Sequence, residues 1–302
     1  MNGFLCVLKP PGMTSSDVVV RVRRRLPKGT KVGHAGTLDP EAAGVLPLMI
    51  GKASRLFDYL VEKEKVYIAE LKPGYATDTQ DAHGSIVAGS GETASLEQLE
   101  AVLPQFLGEI MQTPPMFSAL KRDGQKLCDL ARKGVTVELE ARPTQVHAID
   151  VLHVLPQGGF MLRVRCGKGT YIRSICSDMG DLVGCPAHMR FLLRAKSGAF
   201  DLATAMTLEE ITALAQAGTL QQHLLPLDMP IQHLPRVDAG AWIDKLVRNG
   251  VKLAVKACKG AKDLQEGQAT RVYLHDQFWG MAVREGDFLL WRAQIAPEEE
   301  MV

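Results

Sequence analysis

The sequence predicts an α+β fold or a mixed α/β fold, because strand-like and helix-like segments alternate without a regular βαβ repeat. A continuous apolar run at residues 4–8 has the length of a buried strand. Behind Ser95, apolar residues recur at helical spacing over residues 96–106. A proline-rich stretch at 225–236 separates these patterns from the rest of the 302 residues, so two domains are expected.

Local signals define the elements of the first half of the chain. The sequence KPPG at residues 9–12 ends the first strand, and a serine at 15 or 16 can cap a helix that runs to about residue 26. Ser95 and Gln98 form a capping-box pattern, and Gly134 ends a helix. The prediction, in chain order, is a strand at 4–8, helices at 15–26 and 53–60, a strand at 66–71, and helices at 96–106 and 125–133.

The second half of the chain contains more strand patterns. Apolar and β-branched residues predict strands at 135–137, 145–154 and 161–166. Ile172, Ile175, Met179 and Leu182 form one stripe of a helix over 171–182, and TLEE at 207–210 opens another capped helix. Beyond the linker, a short helix at 241–249 precedes strands at 269–274, 278–283 and 288–291, which predicts a small, mostly β domain.

The composition favours a soluble protein of the cytoplasm. Hydrophobic residues make up 46% of the chain, and no apolar run approaches the roughly 18 residues that span a bilayer. The six cysteines include no CxxC pair, and the eight histidines form neither HxxxH nor HExxH. We therefore expect no metal, no membrane association and no signal peptide.

Positive charge is concentrated in two segments, although the net charge is only +1. Residues 1–33 contain seven Lys and Arg against one Asp, and residues 161–196 contain seven against two. Two basic segments in a neutral chain favour one polarised face that binds nucleic acid. The alternative is two solvated faces that point apart.

The most informative segment is the loop GHAGTLDPEAAGVLP at residues 33–47. Its glycines permit positive φ angles and close approach of a ligand, and Pro40 biases Asp39 toward an extended conformation. The loop thus presents one carboxylate within an apolar surrounding. A purely local interpretation is an Asx turn, in which Asp39 bonds the nearby backbone.

This loop closely resembles the signature GHxGTLDPxAxGVLP of the TruB family of pseudouridine synthases. Five further segments are similar to family motifs in the same order: KPPGMTS at 9–15, KVY at 65–67, TDTQDAHG at 77–84, QTPPMFSALK at 112–121 and GKGTYIR at 167–173. The chain departs from the pattern at Leu8, Phe117 and Cys128, where an Asp and two Tyr are usual. The resemblance covers about residues 3–232.

The resemblance implies a pseudouridine-synthase catalytic domain at residues 1–232, with a mixed, largely antiparallel central sheet flanked by helices. Residues 236–302 loosely resemble a PUA-like RNA-binding domain. The implied reaction isomerises uridine 55 in the T-loop of tRNA to pseudouridine, after the base is flipped out. It needs no cofactor, and a monomer of the bacterial stand-alone branch that binds the T-arm stem-loop of tRNA is expected.

The resemblance also implies roles for particular residues. Asp39 would be the catalytic carboxylate, which attacks C1′ or C6 or removes the 2′ proton. Arg173 would keep it ionised and oriented, and Tyr67 would stack on the target base. Further substrate contacts are expected from His34, Gly36, Thr37, Lys9, Tyr171, Leu192 and Lys168, and RNA-backbone contacts from Arg21, Arg23, Arg24, Arg25 and Arg194.

Three alternatives remain open from the sequence. A guide-RNA-dependent, dyskerin-like enzyme would share the Asp39 loop. A non-catalytic protein that binds or folds tRNA could keep the same fold, although Asp39, Tyr67 and Arg173 are intact. A carboxylate-dependent hydrolase would need two acids at a defined separation, and Asp39 and Glu41 are too close in sequence to be assigned this way.

Overall fold

Two β-sheets organise the protein in the computed structural model, which describes residues 1–61, 64–118, 120–122, 124–135 and 137–296. The strands are β1 (Gly3–Lys9), β2 (Val32–His34), β3 (Ala43–Ile50), β4 (Lys65–Pro73), β5 (Ala76–Thr77), β6 (Ile86–Ala88), β7 (Gly108–Gln112), β8 (Lys121–Arg122), β9 (Gln125–Lys126), β10 (Arg142–Leu155), β11 (Gly159–Cys166), β12 (Ala187–Ser197), β13 (Phe200–Asp201), β14 (Arg236–Ala239), β15 (Leu253–Ala254), β16 (Cys258–Lys259), β17 (Ala269–Leu274), β18 (Gln277–Glu285) and β19 (Phe288–Gln294). The helices are α1 (Ser15–Arg23), α2 (Phe57–Val61), α3 (Leu96–Val102), α4 (Leu127–Arg132), α5 (Ile172–Val183), α6 (Leu208–Gln216) and α7 (Asp244–Arg248).

The larger sheet has the strand order β1-β3-β12-β4-β11-β10-β7, with β2 added beside β3 and β13 beside β12. Only the β3–β12 pair is parallel, and the other pairs are antiparallel. This sheet confirms the predicted mixed, largely antiparallel architecture. Helix α5 packs on β12, so the residues that follow β11 and open α5 lie at the centre of the sheet.

The smaller sheet contains the C-terminal strands in the order β15-β19-β18-β17-β14-β16. It confirms the predicted mostly β C-terminal domain. Phe4 and Ile231 of the larger domain share a buried apolar cluster with Met281 and Ile295 of the smaller one. The two domains are therefore joined by a common core as well as by the linker.

Helix ends follow from capping and from glycine. Thr14, not Ser15 or Ser16, caps α1, because its hydroxyl accepts from the Asp17 backbone N–H while the Asp17 side chain accepts from the Thr14 N–H. The helix ends at Arg23, before the predicted residue 26. Ser95 and Thr207 cap α3 and α6 as predicted.

Several predicted elements differ from those observed. The predicted helix at 53–60 is a 3-10 segment, Gly51–Leu56, followed by α2, and the helix predicted at 125–133 is only α4, because Gln125–Lys126 pairs as a strand. Val135 and Val137 lie in no strand, and residue 136 is outside the described residues. Strands β2, β3, β7 and β12 were absent from the prediction.

No helix among the described residues is long and apolar enough to cross a bilayer. The same residues contain no group of three or more His, Cys, Asp or Glu side chains placed to hold a metal ion.

Candidate active site

A cavity of about 350 Å³ opens between the Asp39 loop, the sheet and the start of α5. Its volume lies within the range of about 300–1,000 Å³ that is usual for small-molecule sites. Five segments that are distant in sequence meet there, and its walls comprise residues 35–39, Lys65, Tyr67, Ser118, Leu120, residues 167–173, Leu192 and Arg194.

Asp39 and Arg173 form a bidentate ion pair in the cavity wall. Arg173 Nε lies 2.9 Å from Asp39 Oδ2, and Arg173 Nη2 donates to Asp39 Oδ1 at 3.2 Å. Two parallel contacts to one guanidinium fix the plane of the carboxylate. The side chain of Asp39 is 36% exposed, whereas that of Arg173 is 4% exposed, so the carboxylate stays accessible while its partner is buried.

Arg173 is itself held by two further segments. Its guanidinium donates to the carbonyl oxygens of Thr79 at 3.1 Å and Phe117 at 2.8 Å, and Nη1 lies 3.8 Å from Asp81 Oδ2. The TDTQDAHG segment thus supplies a wall around Arg173. The loss of a tyrosine hydroxyl at Phe117 does not affect this contact, which uses the backbone carbonyl.

Within the described residues, the Asp39 carboxylate forms hydrogen bonds with Arg173 only. The local turn is closed by the backbone instead, since the Ala42 N–H donates to the Asp39 carbonyl at 3.1 Å. The carboxylate is therefore not used in an Asx turn.

Arg194 holds the N-terminal side of the Asp39 loop from inside the protein. It is 1% exposed and donates to the carbonyl oxygens of Val45 at 2.8 Å, Thr37 at 3.2 Å and Gly36 at 3.1 Å. The predicted contact of Arg194 with the RNA backbone is corrected, because the side chain is buried and three of its five N–H donors bind loop carbonyls.

Lys9 holds the C-terminal side of the loop in the same way. It is fully buried, and Nζ donates to the carbonyls of Pro10 at 2.9 Å, Pro40 at 2.8 Å and Ala42 at 2.6 Å. Burial lowers the pKa of Lys9 to about 8, against the attraction of Glu41 and Asp39. The predicted contact of Lys9 with substrate is corrected, because its three donors are used internally.

Ser15 binds the residue immediately before the catalytic candidate. Its hydroxyl accepts from the Leu38 N–H at 2.9 Å and donates to the Leu38 carbonyl at 3.2 Å, and the side chain is 2% exposed. Sequence reasoning considered Ser15 only as a helix cap. The position of Ser15 in the KPPGMTS motif was the sequence feature that could have indicated this second role.

Tyr67 and Leu192 form the floor of the cavity on β4 and β12. Both are buried, and burial raises the pKa of Tyr67, although Arg194 opposes this. Its phenol is therefore protonated at neutral pH. An aromatic face and an aliphatic side chain in the same cavity suit a flat, partly apolar ring.

Four of the predicted substrate-binding residues lie in the wall of the cavity. Gly36, Thr37, Lys168 and Tyr171 line the cavity, and the backbone of Tyr171 is held by the amide of Gln112 in β7. Lys168 is exposed at the mouth. Burial raises the pKa of Tyr171.

His34 lies on β2, just before the cavity wall, and is not among the lining residues. Burial, and then the charge of Arg194, lower its pKa, so the imidazole is neutral at pH 7. Its Nδ1 is buried and has no hydrogen-bond partner among the described residues.

The remaining predicted RNA contacts lie outside the cavity. Arg21, Arg23, Arg24 and Arg25 are exposed at the end of α1 and just beyond it. The structure thus brings Asp39, Tyr67 and Arg173 together in the cavity and places these four arginines outside it. The side chain of Cys128 is outside the described set.

Comparison with known proteins decides the family. The model of the TruB family pseudouridylate synthase N-terminal domain matches residues 23–172, and that of the tRNA pseudouridylate synthase B C-terminal domain matches residues 173–232. This chain belongs to the TruB family. The resemblance that the motifs indicated is therefore confirmed.

Curated relatives and solved structures match most of the chain. The tRNA pseudouridine synthase B of Alkaliphilus oremlandii (strain OhILAs) is 41% identical over 283 residues, covering 94% of this chain and 93% of the relative. That of Bacillus pumilus (strain SAFR-032) is 42% identical over 259 residues, covering 84% of each. An H/ACA RNP bound to a substrate RNA containing 2′-deoxyuridine has a chain with a TM-score of 0.73 at 24% identity, covering 98% of this chain and 86% of its own length. A chain of a Cbf5-Nop10-Gar1 complex has a TM-score of 0.72 at 27% identity, covering 96% of this chain and 83% of its own length.

Proposed function

We propose that this protein isomerises uridine to pseudouridine in tRNA and that Asp39 is the catalytic carboxylate. The observation that supports this most directly is the bidentate Asp39–Arg173 pair beside Tyr67 in a cavity of nucleobase size. The family membership and relatives named tRNA pseudouridine synthase B point to the same reaction.

The reaction matches a site with one accessible carboxylate. The C1′–N1 bond of uridine breaks, the base turns, and a C1′–C5 bond forms while C5 loses a proton and N1 gains one. No electrons or groups enter or leave, so the isomerisation balances without a donor. Asp39 can attack C1′ or C6 or remove the 2′ proton, and Arg173 keeps it oriented in each case.

Asp39 lines a cavity of about 350 Å³, and we expect the uridine to leave its stack to enter this cavity. Tyr67 and Leu192 would contact the faces of the flipped base, which offsets part of the unstacking cost. Base–aromatic stacking contributes roughly 1–3 kcal/mol.

We propose uridine 55 of the T-arm as the target and a monomer of the cytoplasm as the working form. Residues 1–232 would form the catalytic unit, and residues 236–302 would bind RNA as a PUA-like domain. Arg23 and Arg24 at the end of α1 and Lys168 at the cavity mouth, all exposed, would hold phosphates on either side of the base.

The alternatives differ in what RNA they require. Incubation of the purified chain with an unmodified tRNA transcript and no guide RNA should give pseudouridine at position 55, mapped by chemical probing. A transcript with cytidine at position 55 is the control and should stay unmodified. Absence of pseudouridine without a guide would contradict the proposal and favour a guide-dependent or a non-catalytic protein.

A further inference from the structure

A cationic groove lies beside the cavity, between the end of α1 and strand β2. It has a volume of about 810 Å³ and is lined by most of residues 23–33 and by Ser54. Four exposed cations line it, Arg23, Arg24, Lys28 and Lys31, and no Asp or Glu does. We call it the α1–β2 groove.

The four cations are not neutralised within the protein. None of their side chains forms a hydrogen bond or an ion pair with another residue in the described ranges. An acid-free groove with four unpaired cations has a strongly positive potential, which attracts polyanions. This pattern suits a chain of phosphates better than a single carboxylate ligand.

Arg21 and Arg25 face the other way. They line a separate cleft between α1 and α6, together with Glu209 and Thr212, and Arg24 borders both this cleft and the groove. Arg25 Nε donates to Thr212 Oγ1 at 3.4 Å, and the carboxylate of Glu209 offsets part of the positive charge of this cleft. The basic cluster that is continuous in sequence is therefore divided between two surfaces.

The groove and the cavity share one stretch of backbone. Gly33 lines the groove, and Gly36 lines the cavity. Three residues of extended chain span at most about 11 Å, so the two sites approach within that distance. A stacked strand advances roughly 3.4 Å per nucleotide, so the near edge of the groove lies within about three nucleotides of the cavity.

We infer that the α1–β2 groove binds the phosphodiester backbone of the RNA strand, beginning within about three nucleotides of the flipped uridine. The inference rests on the proposed function, because its occupant is the RNA that carries this uridine. Lys28 and Lys31 are the phosphate ligands that the sequence motifs did not single out. Arg21 and Arg25 contribute only long-range attraction.

The test compares two variants with the same loss of charge. Lys28→Gln/Lys31→Gln changes the groove, and Arg21→Gln/Arg25→Gln changes the α6 cleft. Affinity for unmodified tRNA is measured from 50 to 400 mM KCl, and kcat and KM are measured for pseudouridine formation. We expect the groove variant to bind about tenfold more weakly, with a salt slope lower by roughly 1–2.

The comparison variant should weaken binding by no more than about twofold, since it removes the same net charge but no phosphate contact. In the groove variant kcat should be unchanged while KM rises. Equal effects of the two variants, or an unchanged salt slope in the groove variant, would overturn the inference.

Failure of the proposed function has a different signature. If wild-type protein binds tRNA but forms no pseudouridine, the proposed function is wrong. The comparison of tRNA affinity between the two variants then still tests whether the α1–β2 groove binds RNA. If pseudouridine forms with wild-type KM in the groove variant, the function stands and the groove assignment falls.

Discussion

At the scale of single residues, the Asp39 loop is fixed by three buried side chains from two distant segments. Lys9, Ser15 and Arg194 together bond the backbone on both sides of Asp39. Without these side chains, buried backbone N–H and C=O groups of the loop would lack hydrogen-bond partners. These side chains let a glycine- and proline-rich segment present one carboxylate in a fixed place.

Ser15→Ala tests whether this support matters for catalysis. The change leaves the Leu38 N–H buried without its acceptor, which should cost about 1–3 kcal/mol of unfolding free energy. A displaced Asp39 should lower kcat by roughly 10- to 100-fold, with KM nearly unchanged because RNA contacts remain. Steady-state kinetics and urea unfolding check both values.

The neighbouring Ser16→Ala is the matched control, because Ser16 is exposed. It should leave kcat and stability unchanged. A Ser15→Ala enzyme with wild-type kcat would show that the hydroxyl supports folding alone.

The sequence was sufficient to predict Asp39, Tyr67 and Arg173 as one site, because each lies in a recognisable motif. It misplaced Lys9 and Arg194, because a charged residue in a sequence carries no sign of whether it faces solvent or the backbone carbonyls of a loop. Burial of a cation depends on partners far along the chain, here residues 36–45 for Arg194.

At the scale of elements, the parallel pairing of β3 with β12 brings the Asp39 loop to the cavity. Gly44 has φ +113°, and a Cβ there would lie 2.3 Å from the Arg194 carbonyl oxygen. Only glycine allows the two strands to approach in this way. The same contact places Arg194 beneath the loop that it holds.

Gly44→Ala should therefore separate β3 from β12. The added Cβ meets backbone atoms and the φ angle is unfavourable, so we expect a loss of about 3 kcal/mol or more in unfolding free energy. Gly184→Ala is the comparison, since Gly184 also has positive φ but open space around it, and should cost only about 1–2 kcal/mol. Equal losses by denaturant unfolding would contradict the role of close approach.

The elements that sequence reasoning missed have a common cause. Strand β3 contains Gly44 and Pro47, residues that usually mark turns. The strand nevertheless forms, and Pro47 lies opposite Cys6 in an unbroken register with β1. Capped helices such as α3 and α6 were predicted, because their signals are local. Strand pairing depends on distant segments and left no comparable local signal.

At the scale of the whole molecule, the C-terminal domain packs against the larger domain. Besides the shared apolar cluster, Tyr273 donates to Asp228 Oδ2 at 2.5 Å, and Lys52 donates to the Ala296 carbonyl at 2.8 Å. The proline-rich linker predicted a boundary but gave no sign of this docking. These contacts fix the position of the small domain, and of any RNA-binding surface on it, relative to the cavity.

The central claim is that Asp39 performs the chemistry, and Asp39→Asn tests it most directly. The variant is nearly isosteric but cannot ionise, and the exposed Asp58→Asn on α2 is the matched control. Both proteins are incubated with unmodified tRNA, pseudouridine is quantified over time, and thermal unfolding is recorded. The Asp39→Asn protein should stay folded and form no detectable pseudouridine, whereas the control should retain the wild-type rate. Pseudouridine formation by the Asp39→Asn protein at a near wild-type rate would show that Asp39 is not the catalytic carboxylate.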